Sequence, residues 1–249
     1  MRPRDPLAKL RETAAQLEAM AAEEPDNPEL QYKLGNAYFD LGAYVEAQRA
    51  FARAVALKPD YAAAHCNLGL CLRKLGDYEG AIRAYERSLE LEPEDTVALN
   101  NLIVAFRAVG RLDEAVSLML DLAERTPDDA ALHADLSEYL LRMERYEEAI
   151  AICRRVLELD PGRPGNYYNL GTCYYRLGRL DTALTTWLTA LAHDPGHVAT
   201  RRALATAYWE AGDYQAAWKA VGECEARGIT LDGEFIQRLQ EDSGQLGPE

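Results

Sequence analysis

The sequence encodes an all-α solenoid of stacked helix–turn–helix repeats, a reading that three observations carry. Pro25, Pro59, Pro93, Pro127, Pro161 and Pro195 recur at a constant spacing of 34 residues, and self-similarity at such a period marks a repeat array. Aligned on these prolines, the six units 28–61, 62–95, 96–129, 130–163, 164–197 and 198–231 keep leucine at the seventh position (Leu34, Leu68, Leu102, Leu136, Leu170, Leu204). They also keep alanine at the twentieth (Ala47, Ala81, Ala115, Ala149, Ala183, Ala217). Within each unit apolar residues fall at helical spacing in two segments, with Gly42, Gly76, Gly110, Gly178 and Gly212 between them.

Each unit is therefore a helix, a tight turn and a second helix. A glycine after the first helix suits a left-handed C-cap. The unbroken alanine lets the two helices approach closely, as do Gly35, Gly69 and Gly171 on the partner helix. The period-marking proline stops the second helix, because it lacks an N–H and restricts the residue before it. Asn27, Asp95 and Asp129 are placed to N-cap the following first helix, and Pro28 and Pro164 suit its first turn. Before the first full unit, residues 6–24 with Leu7, Leu10, Leu17 and Met20 read as a lone second helix, within an N-terminal arm and cap of residues 1–27. After the last, residues 232–242 with Phe235, Ile236 and Leu239 read as an amphipathic helix covering the terminal apolar face. It belongs to a C-terminal segment, 232–249, that ends in a loose tail from Gly244 to Glu249.

Composition narrows the function classes. A net charge of −14 argues against generic phosphate-backbone binding, so no nucleic-acid partner is expected. No apolar run approaches the ~18 residues of a membrane span, and the polar N-terminus lacks the apolar core of a signal peptide, so a cytoplasmic protein without membrane insertion is expected. The five cysteines include no Cys-x-x-Cys pair and read as reduced, structural thiols; four fall at packing positions and only Cys66 is placed toward the inner face. No histidine pair has metal-ligand spacing, and no phosphate loop, dinucleotide fingerprint or nucleophile elbow occurs. Neither a catalytic residue, a metal site nor a cofactor is expected.

The run Tyr167, Leu170-Gly171, Tyr174, Ala183, Trp187, Ala190 and Pro195 resembles the signature of the tetratricopeptide repeat (TPR) family. The resemblance extends over about four-fifths of the chain, with departures at Ile103 and Ser137 where glycine is usual, Glu144 at a turn, and Ile229 in place of a proline. It implies a right-handed superhelical solenoid whose concave surface is lined by the first helix of each unit. It also implies a non-catalytic scaffold for protein–protein contact.

The second, fifth, ninth, twelfth and thirteenth positions of each unit lie on one stripe of that inner helix. The stripe is +2 over its thirty positions, which leaves −16 for the rest of the chain. Its basic residues Arg73, Lys74, Arg107, Arg142 and Arg176 would favour acidic side chains or a C-terminal carboxylate, and its aromatics Tyr32, Phe39, Tyr168, Tyr175 and Trp209 would supply anchoring area. The sixth unit adds Arg202 and Thr206 to the stripe. Asn36 shares the stripe, and Asn67, Asn101 and Asn169 occupy the sixth position; in relatives such amides bond the main chain of an extended peptide. The family's carboxylate clamp for chaperone tails is not reproduced, since Tyr32, Val97 and Asn101 stand where its basic residues belong. The expectation is a peptide-binding groove, with a self-associating assembly scaffold (a homo-oligomer) or the targeting subunit of a larger complex as alternatives.

Overall fold

The computed structural model describes residues 7–244, so the expected arm at residues 1–6 and the tail beyond Gly244 lie outside the described residues. Fourteen α-helices and no strand are present among the described residues. The protein is an all-α helical-repeat solenoid, as the periodicity indicated. Its chain divides into two compact units, residues 1–122 and 123–249.

The first unit contains α1 (Ala8–Glu23), α2 (Pro28–Asp40), α3 (Tyr44–Leu57), α4 (Ala62–Lys74), α5 (Tyr78–Leu91), α6 (Thr96–Ala108) and most of α7 (Leu112–Arg125), in which the division falls. The second contains α8 (Ala130–Arg142), α9 (Tyr146–Leu159), α10 (Pro164–Arg176), α11 (Leu180–His193), α12 (Val198–Glu210), α13 (Tyr214–Glu225) and α14 (Gly233–Ser243). The first helices of successive repeats also touch one another, α2 with α4 with α6 in one unit and α8 with α10 with α12 in the other. Each unit thus presents one face made of first helices alone.

Helix ends form where side chains satisfy the open backbone groups. Asn27, Asp95 and Asp129 each accept two N–H groups of the helix that follows, and Pro28 and Pro164 open α2 and α10. The turn glycines adopt φ between 71° and 86°, and Glu144 takes the same left-handed conformation at φ 60° in the one repeat without a glycine there. That conformation is costly for a residue with a Cβ. Position four of two repeats closes a further gap: His65 Nε2 donates to the Pro59 carbonyl at 3.0 Å, and Arg201 donates to the Pro195 carbonyl through Nε at 2.8 Å.

The core is built from an exchange of volume inside each repeat. The twentieth-position alanines are fully buried in all six. A Cβ added to Gly35, Gly69 or Gly171 would lie 2.6, 2.7 or 2.5 Å from the ring of Phe51, Tyr85 or Trp187, so the eighth position is empty where the twenty-fourth is aromatic. Where the eighth position is Ile103, Ser137 or Ala205, the twenty-fourth is the smaller Met119, Cys153 or Val221, and all six are buried. The irregular residues at positions 103 and 137 are therefore partners of a changed neighbour. At the C-terminal end α14 completes the core with Leu239 against Ala205, Ala217, Trp218 and Val221.

Candidate functional site

In the first unit the predicted groove residues are largely committed to one another. Tyr32 packs its ring 4.9 Å from that of Tyr61 and 5.7 Å from that of Phe51. Asn67 donates from Nδ2 to Asn36 Oδ1 at 2.8 Å and to the Tyr32 hydroxyl at 3.2 Å. Asn101 donates to the Val97 carbonyl of its own helix at 2.9 Å. A ladder of amides waiting for a peptide main chain is thus not what these three asparagines make. Phe39, itself half-buried, packs against the buried apolar cluster of Phe51 and Cys71 and meets Tyr44 edge-on at 5.3 Å, while Lys74 Nζ sits 6.0 Å from the Tyr44 ring centroid. Arg73 lies half-buried beside Tyr85. Neither its Nε nor the Tyr85 hydroxyl makes a hydrogen bond, and the guanidinium offsets only part of the burial that pushes the phenol up to about 12. Arg107 is exposed on α6, a helix that also exposes Val97 and Val104.

Cys66 departs from its expected place. It is buried at 6% exposure, and burial, reinforced by Asp95 and Glu92, pushes its thiol up to about 11. Burial takes it off the inner surface, and its thiol is held in the unreactive protonated form.

The second unit holds a formed cleft of about 380 Å³ between α10 and α12, with Trp187 of α11 at its base. It is lined by Tyr168, Thr172, Tyr175 and Arg176 on one side and by Ala199, Arg202, Ala203 and Thr206 on the other. The walls are fixed by bonds to the helix backbone. The Tyr168 carbonyl accepts both the Trp187 indole N–H at 3.1 Å and the Thr172 hydroxyl at 2.8 Å. The Tyr168 ring rests 5.6 Å from that of His197, whose side chain caps α12. Tyr175 donates its hydroxyl to Glu210, and burial together with that carboxylate pushes the phenol up to about 12. The Arg176 and Arg202 guanidiniums make no hydrogen bond or ion pair among the described residues. Asn169 is half-buried on α10.

Two other expected groove residues lie elsewhere in this unit. Arg142 sits over the ring of Tyr139, one turn back on α8, at 5.8 Å. Trp209 is taken up by the C-terminal cap, with its indole N–H donating to Asp242 at 2.8 Å and its ring edge-on to Phe235 at 5.8 Å. A residue outside the repeat alignment claims it, which no pattern within the repeat reveals. Conversely, Arg202, Thr172, Thr206 and Trp187 line the cleft without having been chosen as candidates. Thr172, Arg202 and Thr206 occupy positions of the inner stripe, so the sequence carries their signal; Trp187 enters the sequence only as part of the family signature.

Among the described residues no helix is long and apolar enough to cross a membrane, and no group of three or more His, Cys, Asp or Glu is placed to hold a metal ion.

Sequence-family profiles match most of the chain: a tetratricopeptide repeat at residues 62–95, a TPR repeat at 35–72, a tetratricopeptide repeat at 100–164, and the anaphase-promoting complex, cyclosome, subunit 3 family at 142–224. Comparison with curated protein sequences finds no match. Among solved structures, the fold is similar to YrrB, "a TPR protein with an unusual peptide-binding site", with 19% identity and a TM-score of 0.64 over 76% of this chain and 98% of that one. It is also similar to the C-terminal part of a TPR repeat-containing protein from Cytophaga hutchinsonii (17% identity, TM-score 0.70, 92% of this chain and 94% of the other). A third similar structure is a chain of Naa15/Naa10 bound to HypK-THB (16% identity, TM-score 0.76), of which the match covers 37% while taking in 96% of this chain.

Proposed function

The chain belongs to the tetratricopeptide-repeat family, generally a scaffold for protein contact, and on that premise we propose that it is a non-catalytic scaffold holding an acidic peptide segment of a partner protein. The binding place is the α10–α12 cleft. One observation carries this reading: Arg176 and Arg202 bring two uncommitted guanidiniums to an aromatic-walled cleft in a protein of net charge −14. Several other surface arginines are matched with carboxylates, as in Arg53 with Asp26, Arg111 with Glu114 and Arg145 with Glu148.

The chemistry favours a carboxylate ligand. Guanidinium groups bind carboxylates through paired, charge-assisted hydrogen bonds, and the rigid rings of Tyr168, Tyr175 and Trp187 offer apolar area at little entropic cost. An acidic side chain or a terminal carboxylate satisfies both demands. YrrB, a TPR protein with a peptide-binding site, shares the fold, which supports the reading at the level of the fold alone.

The test is a titration of the full chain with peptides carrying an internal glutamate or a free C-terminal carboxylate. Arg176→Glu and Arg202→Glu should each weaken binding by about 1.5–3 kcal/mol, the range for hydrogen bonds to charged groups. Binding that survives both reversals in a still-helical protein would move the interaction off this cleft.

A further inference from the structure

The α10–α12 cleft has a neighbour. A second cleft of about 490 Å³ is lined by Arg202, Thr206, Thr230, Leu231, Asp232 and Phe235, and it shares Arg202 and Thr206 with the first. The two lie side by side on the inner face of the second unit, and exposed Arg202 is common to both. Resting on the reading that the first cleft holds a peptide, we infer that both are subsites of one groove, selecting a segment with an acidic residue between two apolar ones. The carboxylate pairs with Arg202, and the flanking apolar side chains enter the two clefts.

Three features support that register. The first cleft is walled by Tyr168, Tyr175, Trp187 and two alanines, and its one other cation is Arg176. The second offers Leu231 and Phe235 as apolar area, and its one carboxylate, Asp232, already accepts the Glu234 N–H at 2.9 Å as the N-cap of α14. An acidic residue placed there would face Asp232, so charge complementarity puts the ligand's carboxylate at Arg202 and an uncharged residue beyond it. The second cleft is also preformed. Phe235 is held by Trp209, which is itself fixed by Asp242, so little ordering is needed when a ligand arrives. The C-terminal cap thereby becomes part of the recognition surface.

The experiment measures fluorescence anisotropy of the full-length protein with short acetylated, amidated Gly-Ser peptides. These carry a central Glu with Leu or Phe on both sides, on one side or on neither, at varied spacing. The doubly flanked peptide should bind tightest, and replacing its Glu with Gln should cost about tenfold, the equivalent of one charge-assisted contact. Arg202→Gln should abolish that Glu-over-Gln preference. Leu231→Ala should lower affinity for the doubly flanked peptide while leaving the peptide that lacks the second apolar residue unaffected. Because Leu231 also packs against the cap, Thr230→Gln, a larger polar side chain at an exposed position in the same cleft, serves as an independent block with the same expected pattern. If both second-cleft variants bind the doubly flanked peptide as wild type does while Arg202→Gln weakens it, the second subsite is overturned and the single-cleft reading stands. If no peptide binds, or if Arg176→Gln and Arg202→Gln change nothing, both readings fall together.

Discussion

Glu144 stands where every other complete turn in the array has glycine, at φ 60°. Its left-handed backbone costs about 1 kcal/mol relative to glycine, so Glu144→Gly should raise the unfolding free energy by about that amount, read as a higher urea midpoint, without altering the circular dichroism spectrum. Gly171 is the converse case. Its missing Cβ leaves room for the Trp187 ring, and Gly171→Ala should destabilise by about 1–3 kcal/mol through overpacking. Trp187→Val in the same chain should recover part of that loss. Three tyrosines, Tyr85 buried and Tyr38 and Tyr175 half-buried, give a pH signature. Burial is the main cause that pushes Tyr38, Tyr85 and Tyr175 from 10.0 up to about 12. The unfolded chain releases these protons near pH 10 while the folded chain keeps them to about 12. Their contribution is therefore complete below pH 10 and falls as pH rises toward 12; urea midpoints across that window should decline, and less steeply for Tyr85→Phe. Single residues were also where sequence reading was weakest. Asn67 falls in the series of sixth-position amides, yet its donor is spent on Asn36 and Tyr32, a commitment between adjacent repeats that the pattern of one repeat does not contain.

Helices were the most legible feature, because each carries its own boundary chemistry. Asn27, Asp95 and Asp129 announce the starts of α2, α6 and α8, and the left-handed glycines announce the ends of the first helices. What a helix does beyond its repeat was harder to read. Arg201 is only 6% exposed, and it fastens the start of α12 to the preceding turn while its Nη1 reaches Glu223 of α13 at 2.7 Å. Arg201→Ala should cost about 2 kcal/mol in thermal or urea unfolding, and Arg201→Lys should recover little, since an ammonium cannot reproduce the fork that serves a carbonyl and a carboxylate together. The capping helix α14 was expected as a cover for apolar surface. It does bury Leu239 and receives the Trp218 indole N–H on Ser243 at 3.0 Å. That it also draws in Trp209 and helps to wall a cleft depends on side chains meeting across 33 residues of sequence, well outside the repeat alignment.

Charge is unevenly spread between the sequence as a whole and the clefts of the second unit. Carboxylates dominate the total at −14, while the clefts of the second unit carry Arg176 and Arg202. Binding of an acidic peptide should therefore weaken as ionic strength rises, since exposed charges are screened beyond about 8 Å at physiological salt. A log–log plot of affinity against salt should flatten for Arg202→Gln. The basic bias of the inner stripe is legible in the sequence, but it extends over several repeats and does not single out one. Only the packing distinguishes the second unit's open cleft from the internally bonded residues of the first. The exchange of volume between the eighth and twenty-fourth positions has a consequence for descent and engineering. Both members of each pair lie within the same repeat, so a whole repeat that is duplicated, deleted or transplanted carries this size match with it. A crossover placed between the two helices of a repeat would separate Gly171 from Trp187 or Ser137 from Cys153. Recombination breakpoints at the prolines keep each of these pairs together, and those at the glycine turns do not.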